Sequence, residues 1–543
     1  MGKNQRMETL EPGKWLAIEQ EMLRTRTGGK SLIELTEYDG LSLWWFMRTR
    51  IYHSAQSTRS IRLAIKNPYL FSLAEFLYDS LTSMLCKVLS SFFEVKTGGK
   101  NPKVLMTAPN VQWRTVRSSG GELKRCDVFL DSLVGELQRR DFEVVTVAPL
   151  KYSPSGLKVM IEKLHIQRDI IHKEFNIYWS TKIWKKGHAA RRHFTNVWKS
   201  VLKIDGKFVG SLEKYGLGSQ LPIYFHSILG YVVETIEMAK ELVQKEKPDL
   251  ILVSSEYGIF ERALVVAGKL ERIPTLAIQH GNIGPLHKGY IYPKNRISAS
   301  GSIQTPFCPI PEKTAVYGQY YYDILTKMSS YPLDSVVITG QPRYDVLAVA
   351  DRVYSREEFC KRLGLDSSKR IVLVGTENMG ISEGTTLLRS FLGALKSFPD
   401  LQIVVKPHPG ERGEWYRNVL KEEGVRAVVL SKEADTFEAL HACDLFLTGF
   451  STIATEGIIL GKVGVTLHLG EGEDPTPYYR GVTLRVYKAS DLIPAITAAL
   501  YDEKTRERIK TEGERFVYDH AYEQDGKATE RVASLIERMI ARA

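Results

Sequence analysis

The chain has 543 residues, 43% of them hydrophobic and 25% charged, an ordinary globular composition on a length that exceeds one core and predicts two or three domains. Its formal net charge of +11 points to an anionic partner: a nucleotide, a phospholipid surface or a nucleic acid. The last is disfavoured, because the chain has no aromatic-basic RNA motif, zinc-finger spacing or basic low-complexity tail.

Cys86, Cys126, Cys308, Cys360 and Cys443 are odd in number and scattered, as expected of free thiols in a reducing compartment. The N-terminus, MGKNQRMETLEPGKW, has no apolar h-region, so no secretory signal is expected. No apolar run reaches the roughly 18 to 20 residues that a membrane span needs. The nearest stretch, Pro68 to Val95, carries Glu75, Asp79 and Lys87, and its apolar residues fall at helical spacing. It reads either as a helix packed against the next domain or as an in-plane helix on an anionic membrane surface beside Arg62, Lys66, Lys87 and Lys96. Residues 1–100 are predicted mostly helical, with an aromatic knot at Leu43-Trp44-Trp45-Phe46, and they end at the glycine-proline punctuation Thr97 to Pro102.

Val104-Leu105-Met106 opens a new pattern: a strand, a polar loop through Asn110, Trp113 and Arg114, a helix from about Asp127 to Arg140, and a second strand at Val144 to Val147. This is the β-loop-α-β start of a Rossmann-like domain spanning 101–345. Arg114 and Glu122 lie in the loop after its first strand, lining the cleft or on the surface. A basic, Trp-bearing helical insertion is expected over about 152–221; its histidines lack a metal-ligand partner set. Strands at Leu250 to Val253 and Thr275 to Ile278 then end at Ser255-Glu256 and Gln279-His280-Gly281, placing a carboxylate and an imidazole at successive strand ends, as proton abstraction requires. Further strands at Thr314 to Tyr317 and Val336 to Thr339 lead to Gly340-Gln341-Pro342-Arg343-Tyr344-Asp345, a turn that reads as the hinge between two domains.

The second domain, 346–500, begins with the strand Ile371 to Val374 and the loop Gly375-Thr376-Glu377-Asn378-Met379-Gly380. Ile403-Val404-Val405 is an apolar run of the kind that makes a strand buried on both faces, and it stops at Lys406-Pro407-His408-Pro409-Gly410. Two prolines and a glycine forbid continuation, so Lys406 and His408 project from a stiff loop at a strand's carboxyl end. Leu445-Phe446-Leu447 likewise ends at Thr448-Gly449, and Ser451 or Thr452 caps the helix that holds Glu456. Hydroxyls beside a helix N-terminus suit an anion, and ligands of open parallel sheets collect at strand carboxyl ends. A charged helix over 501–543 ends the chain.

With KPHPG, TGFSTIATEGIILGK, AIQHG and VITGQPRYD all present, the chain resembles nucleotide-sugar glycosyltransferases of the two-Rossmann GT-B type. The likeness is to the capsule and surface-polysaccharide branch, which shades into polysialyltransferases, bacterial Kdo transferases, CDP-glycerol glycerophosphotransferases and, more distantly, UDP-N-acetylglucosamine 2-epimerases. The resemblance implies an α/β fold of two Rossmann-like domains facing a cleft, with an N-terminal helical appendage. It implies that His408, Ser451 and Thr452 hold the donor's phosphate and that Glu456 reaches the ribose or base. Lys406 joins them on electrostatic grounds. Gly375, Thr376, Gly281 and Arg343 are assigned to substrate binding.

Catalysis is assigned to Glu256 or His280 as base toward an acceptor hydroxyl, with protonated His408, Lys406 and the helix N-terminus at Ser451 countering leaving-group charge. The Glu-Asp-Gly base motif of polysialyltransferases has only Ser255-Glu256-Tyr257-Gly258 as its counterpart. No Asp-x-Asp motif occurs, so no obligatory metal is expected, and no cofactor beyond the nucleotide-activated sugar. The expected partners are that donor, a surface-glycan or lipid-linked acceptor, and an anionic membrane surface at the cytoplasmic face. Competing readings are polyol phosphate transfer from a CDP donor, 2-epimerisation, and a non-catalytic nucleotide-sugar-binding scaffold.

Overall fold

The computed structural model describes residues 12–24, 26–53, 68–91, 101–109, 112–117, 121–149, 170–204, 221–377, 381–408, 411, 414–431, 434–469, 474 and 476–542. Arg62, Lys66, Lys96, residues 97–100, Asn110, 152–169, 205–220, Asn378 to Gly380 and Pro409-Gly410 lie outside the described residues.

Helices α1 (Pro12–Arg24) and α2 (Trp44–His53) precede a longer α3 (Pro68–Ser91). Trp44, Trp45 and Phe46 are fully buried, and they join the first domain's core instead of forming one of their own. Buried Arg48 pairs with Glu19 at 2.6 Å and donates to the Ile291 carbonyl at 3.0 Å. Neither charge is left bare in a dry environment, and residues 12–53 are thereby sewn to the first domain.

That domain is built on strands β1 (Lys103–Thr107), β4 (Glu143–Ala148), β5 (Ile171–Glu174), β6 (Leu250–Val253), β7 (Thr275–Ile278), β8 (Lys313–Val316) and β9 (Val336–Ile338). They form one parallel sheet in the order β9-β8-β7-β6-β1-β4-β5, with Leu105 opposite both Val145 and Ile251. Every residue of β6 and β7 is buried, as the continuous apolar runs of a strand covered on both faces demand. Helices α4 (Asp131–Arg139), α5 (Thr181–Ile204), α6 (Leu229–Glu246) and α7 (Ile259–Leu270) supply much of that cover. Where the sequence suggests a polar loop running into a helix, the structure has an antiparallel hairpin, β2 (Trp113–Arg117) with β3 (Leu123–Asp127). The helix starts only at Asp131.

The second domain follows α8 (Arg356–Leu363). Strands β10 (Ile371–Gly375), β11 (Gln402–Lys406), β12 (Val428–Val429), β13 (Leu445–Thr448), β14 (Val463–Leu467) and β15 (Leu484–Val486) make a second parallel sheet, ordered β12-β11-β10-β13-β14-β15. Its helices include α9 (Ile381–Leu395), α10 (Glu414–Glu423), α11 (Thr436–Ala442), α12 (Ile453–Ile459) and α13 (Leu492–Tyr501). In both sheets the winding reverses direction, between β1 and β6 and between β10 and β13. These switch points open crevices at the strands' carboxyl ends.

The single terminal helix of the sequence reading is two, α14 (Glu503–Ala521) and α15 (Ala528–Ile540), broken at Tyr522 (φ 61°) and Gly526 (φ 73°). Helix α14 stays with the second domain, while α15 returns to the first, where Val532, Leu535 and Ile536 enter the core with Leu133 and Leu137 of α4. The hinge motif accepts it: the Asp345 carboxylate takes the backbone N–H of Ala528 at 2.9 Å and of Thr529 at 2.8 Å, capping α15. Gly340 (φ +76°) stands where a Cβ would lie 3.1 Å from Ala528 Cβ, so both its backbone and its surroundings call for glycine.

Candidate active site

The KPHPG loop is held by its neighbours rather than by its prolines alone. The backbone N–H of His408 donates to Thr376 Oγ1 at 3.0 Å, and that hydroxyl is tied in turn to Glu411 at 2.6 Å and to Tyr416 at 2.8 Å. Thr376, assigned to ligand binding at the sequence level, therefore anchors the loop. Gly375 is a packing position, because a Cβ there would meet Ile453 of α12 at 2.5 Å.

Lys406 is buried among charges of both signs. Its side chain is only 2% exposed, and its ammonium donates to the Pro407 carbonyl at 3.1 Å. Burial, then Arg114 and Arg343, push it down to about 7, against the pull of Glu456 and Asp435. Burial, followed by Arg114 and Lys406, takes His408 down to about 4. The imidazole is thus neutral at pH 7, which corrects the expectation of a protonated His408. Arg114, brought to the cleft by hairpin strand β2, is itself lowered to about 10 by burial and by Arg343, and its Nε is buried without a hydrogen-bond partner. Two guanidiniums, an ammonium and an imidazole thus share one buried space with the carboxylates of Glu456 and Asp435, and of the cations Arg114 and Lys406 are the ones that burial and like charge disfavour. An added anion beside those two would relieve that cost.

The GFST turn is also occupied in a way its sequence does not reveal. Glu377, one residue past Thr376, is buried at the switch point, and its Oε1 accepts from the backbone N–H groups of Gly449 (2.7 Å), Phe450 and Ser451 (2.9 Å). Thr448 Oγ1 adds a fourth donor at 3.2 Å. The turn expected to receive phosphate thus holds an internal carboxylate. Burial raises it to about 7 despite those four donors, and Oε2 is buried with no hydrogen-bond partner. Gly449 is required by this contact, since a Cβ would lie 2.7 Å from Oε2. On the other side Arg485 donates to the Gly449 carbonyl at 2.9 Å and pairs with Asp474 at 2.6 Å. Ser451 Oγ accepts from the Ile453 N–H at 3.3 Å, whereas Thr452 makes no capping bond.

Glu456 and Arg343 meet across the domains. Arg343 Nη1 lies 2.9 Å from Glu456 Oε1, with the guanidinium 4.4 Å from the Phe437 ring centroid. Burial opposes Arg343's charge, but Glu456, Tyr344 and Asp435 hold it firmly protonated. Glu456, assigned to the ribose or base, is here engaged by an arginine from the hinge motif. A second bridge runs from Asn282, after Gly281, to Tyr479 OH at 2.9 Å, with Tyr321 OH donating to Asn282 Oδ1 at 2.9 Å. Arg117 N–H donates to Asp435 Oδ2 at 3.1 Å. The cleft is drawn shut by these contacts.

The two sequence-assigned bases part company. Glu256 is 1% exposed and points into the core, accepting from Tyr331 OH at 2.5 Å and Thr314 Oγ1 at 2.9 Å. Burial raises its pKa. Its partners are structural and no cleft atom is among them. His280 sits at the β7 end with Nδ1 3.3 Å from Ser255 Oγ and Nε2 3.4 Å from Tyr257 OH. Burial lowers it to about 4, so the ring is held neutral. Beside it Gly281 has open space where a Cβ would stand. Among the described residues, no group of three or more His, Cys, Asp or Glu side chains is arranged to hold a metal.

Sequence reasoning did not find Glu377, Asp435 or Asn282, and it left Arg114 between cleft and surface. The Gly120-Gly121 pair between two five-residue runs, Trp113 to Arg117 with Thr115 and Val116, and Leu123 to Asp127, is the signal that would have found the hairpin carrying Arg114.

Two Rossmann-like domains with a C-terminal helix returning across the cleft define a GT-B fold. Two solved structures share it at low sequence identity. A protein from Listeria monocytogenes proposed to be a UDP-N-acetylglucosamine 2-epimerase is 12% identical with a TM-score of 0.51, covering 82% of this chain and 98% of that one. The UDP-GlcNAc 2-epimerase from Neisseria meningitidis, solved bound to UDP-GlcNAc, is 14% identical with a TM-score of 0.50, covering 81% of this chain and all of that one (100%). Comparison with functionally curated proteins gives no sequence match. Residues 234–462 match the family of CDP-Glycerol:Poly(glycerophosphate) glycerophosphotransferases. The chain is accordingly a transferase of the nucleotide-activated class, and the matched segment runs from α6 through Lys406, His408 and Glu456.

Proposed function

We propose that the protein moves a sugar from a nucleotide-activated donor to a surface-glycan or lipid-linked acceptor, without an obligatory metal. The observation that supports this most is the convergence of Arg114, Lys406, His408 and Arg343 at facing strand ends. A nucleotide's phosphates would favour the charged form of Lys406 and meet the guanidinium of Arg114, so that charge growing on the departing phosphate faces positive groups. The acceptor hydroxyl attacks the anomeric carbon and passes its proton to neutral His280; the bond to the phosphate oxygen breaks, and its electron pair leaves with the nucleotide. Of the two candidate bases, His280 is the one at a strand's carboxyl end whose ring nitrogens are only loosely held, 3.3 Å from Ser255 Oγ and 3.4 Å from Tyr257 OH, while Glu256 is committed to Tyr331 and Thr314.

A second reading, transfer of a polyol phosphate from a CDP donor, is favoured by the match over residues 234–462 and uses the same cations. A thermal-shift screen against CMP, CDP, UDP and GDP tests the site, since a nucleotide at a hundredfold excess over its dissociation constant stabilises by about 2.7 kcal/mol. No shift with any of them would defeat both readings. Phosphorus NMR of the product separates them: a new phosphodiester sinks sugar transfer in favour of polyol phosphate transfer. Product formation is expected to persist in EDTA; loss restored by manganese would overturn the metal-independent mechanism. Wild-type product yield from His408→Ala would remove His408 from the mechanism, and no product from the purified wild type with any nucleotide-activated donor would instead mark the protein as a binding scaffold.

A further inference from the structure

Helix α3 wears its amphipathicity inside out. Asp79, Thr82, Ser83 and Cys86 are buried, while Leu73, Leu77, Leu81, Met84, Leu85 and Val88 are between 42% and 65% exposed. Their spacing of four, four, three, one and three residues puts them on one stripe of a helix. The orientation is fixed from within: the Phe76 ring lies edge-on to Trp184 at 4.9 Å and 5.7 Å from Trp179, and Lys87 donates to the Trp179 carbonyl at 3.4 Å. Contiguous apolar surface of this kind on a folded chain marks an interaction site. No described helix is long and apolar enough to cross a membrane. The neighbouring helix α5, which contributes Trp184, exposes Lys182, Lys185 and Arg192.

We propose that the outer stripe of α3 docks in the plane of an anionic lipid bilayer, with Lys182, Lys185 and Arg192 of α5 against the headgroups. Apolar side chains enter the acyl boundary while the basic residues meet lipid charge, the combination that holds an interfacial helix. The flanking charge selects this occupant over a second copy of the chain, whose own basic strip would be brought against the first. The proposal is independent of which group the enzyme transfers.

The test is co-sedimentation of the full chain with vesicles of mixed phosphatidylglycerol and phosphatidylcholine and with pure phosphatidylcholine. The wild type is expected to pellet with the anionic vesicles and to lose most of that binding in high salt. Leu81→Asp/Met84→Asp is expected to weaken partitioning at least about tenfold, and Lys185→Glu/Arg192→Glu to abolish the preference for anionic vesicles. Unchanged circular dichroism melts verify folding, and Leu81→Ser/Met84→Ser, expected to weaken binding in the same direction, replaces the aspartates if they unfold the helix. A wild type that stays in the supernatant, or a folded double variant that pellets like the wild type, overturns the proposal. Light scattering that shows a dimer dissociated by the same substitutions overturns it in favour of a second copy.

Discussion

Nucleotide binding should draw protons from solution, and Lys406 is the reason. Holding this lysine at about 7 rather than the ordinary 10.5 corresponds to about 5 kcal/mol between its two protonation states. A phosphate placed beside Arg114 and Lys406 adds counter-charge to that of Glu456 and Asp435 and returns the ammonium toward its ordinary value. About half of the free protein carries the proton at pH 7 and about one tenth at pH 8, so binding takes up about 0.5 proton at pH 7 and about 0.9 at pH 8. Affinity should therefore fall up to about tenfold per pH unit above 7. Isothermal titration with the nucleotide found by the screen, run in buffers of contrasting ionisation enthalpy, reads the uptake directly. Lys406→Met keeps the buried stem, removes the charge, and should lose the pH 8 uptake. The sign for the free protein is opposite: a base lowered by folding costs stability as pH falls from 10.5 toward 7, so Lys406→Met should melt higher than the wild type at pH 7. Equal proton uptake in variant and wild type would refute the reasoning.

Arg343→Met leaves Glu456 buried and unpaired and should cost about 3–5 kcal/mol, seen as a lowered melting temperature that Glu456→Gln in the same chain largely restores. Glu377 is an acid raised to about 7; between its ordinary value and 7 the folded state holds more protons than the unfolded, so its contribution falls as pH rises through that window, by about 3 kcal/mol in all. Glu377→Gln keeps an acceptor for the turn and does not titrate, so its melting temperature should match the wild type near pH 5 and exceed it by several degrees at pH 8; a difference constant with pH would contradict this. His280→Ala should lower kcat by about 10²–10⁴-fold while calorimetric nucleotide affinity stays unchanged, and a loss of affinity instead would remove the ring from base catalysis.

The two-domain plan was legible because buried parallel strands write themselves as apolar runs and because proline and glycine mark where they stop. KPHPG and GFST could be placed at strand ends for that reason. What the side chains do there was not legible. Glu256 and His280 each follow a strand closely, yet one turns into the core and the other stays at the cleft. The difference is made by Tyr331 and Thr314, 75 and 58 residues from Glu256. Burial, which no local pattern reports, neutralises His408. The turn at Gly449 to Ser451 looked open to an anion because its own sequence says nothing of Glu377, 72 residues earlier. Asp345 read as part of a hinge, whereas its carboxylate caps a helix 183 residues later.

The return of α15 means that the polypeptide crosses between the domains twice, once after Asp345 and once between Ala521 and Ala528. The two crossings run side by side: the Cβ position of Gly340 is 3.1 Å from Ala528 Cβ and 3.4 Å from the Ala521 carbonyl. A door hung on two adjacent hinges has one axis of swing. Opening the cleft to admit a donor and release a product is then a rotation about that seam, with Arg343–Glu456 and Asn282–Tyr479 as the latches that must part, and severing either crossing would free the domains to twist as well as open.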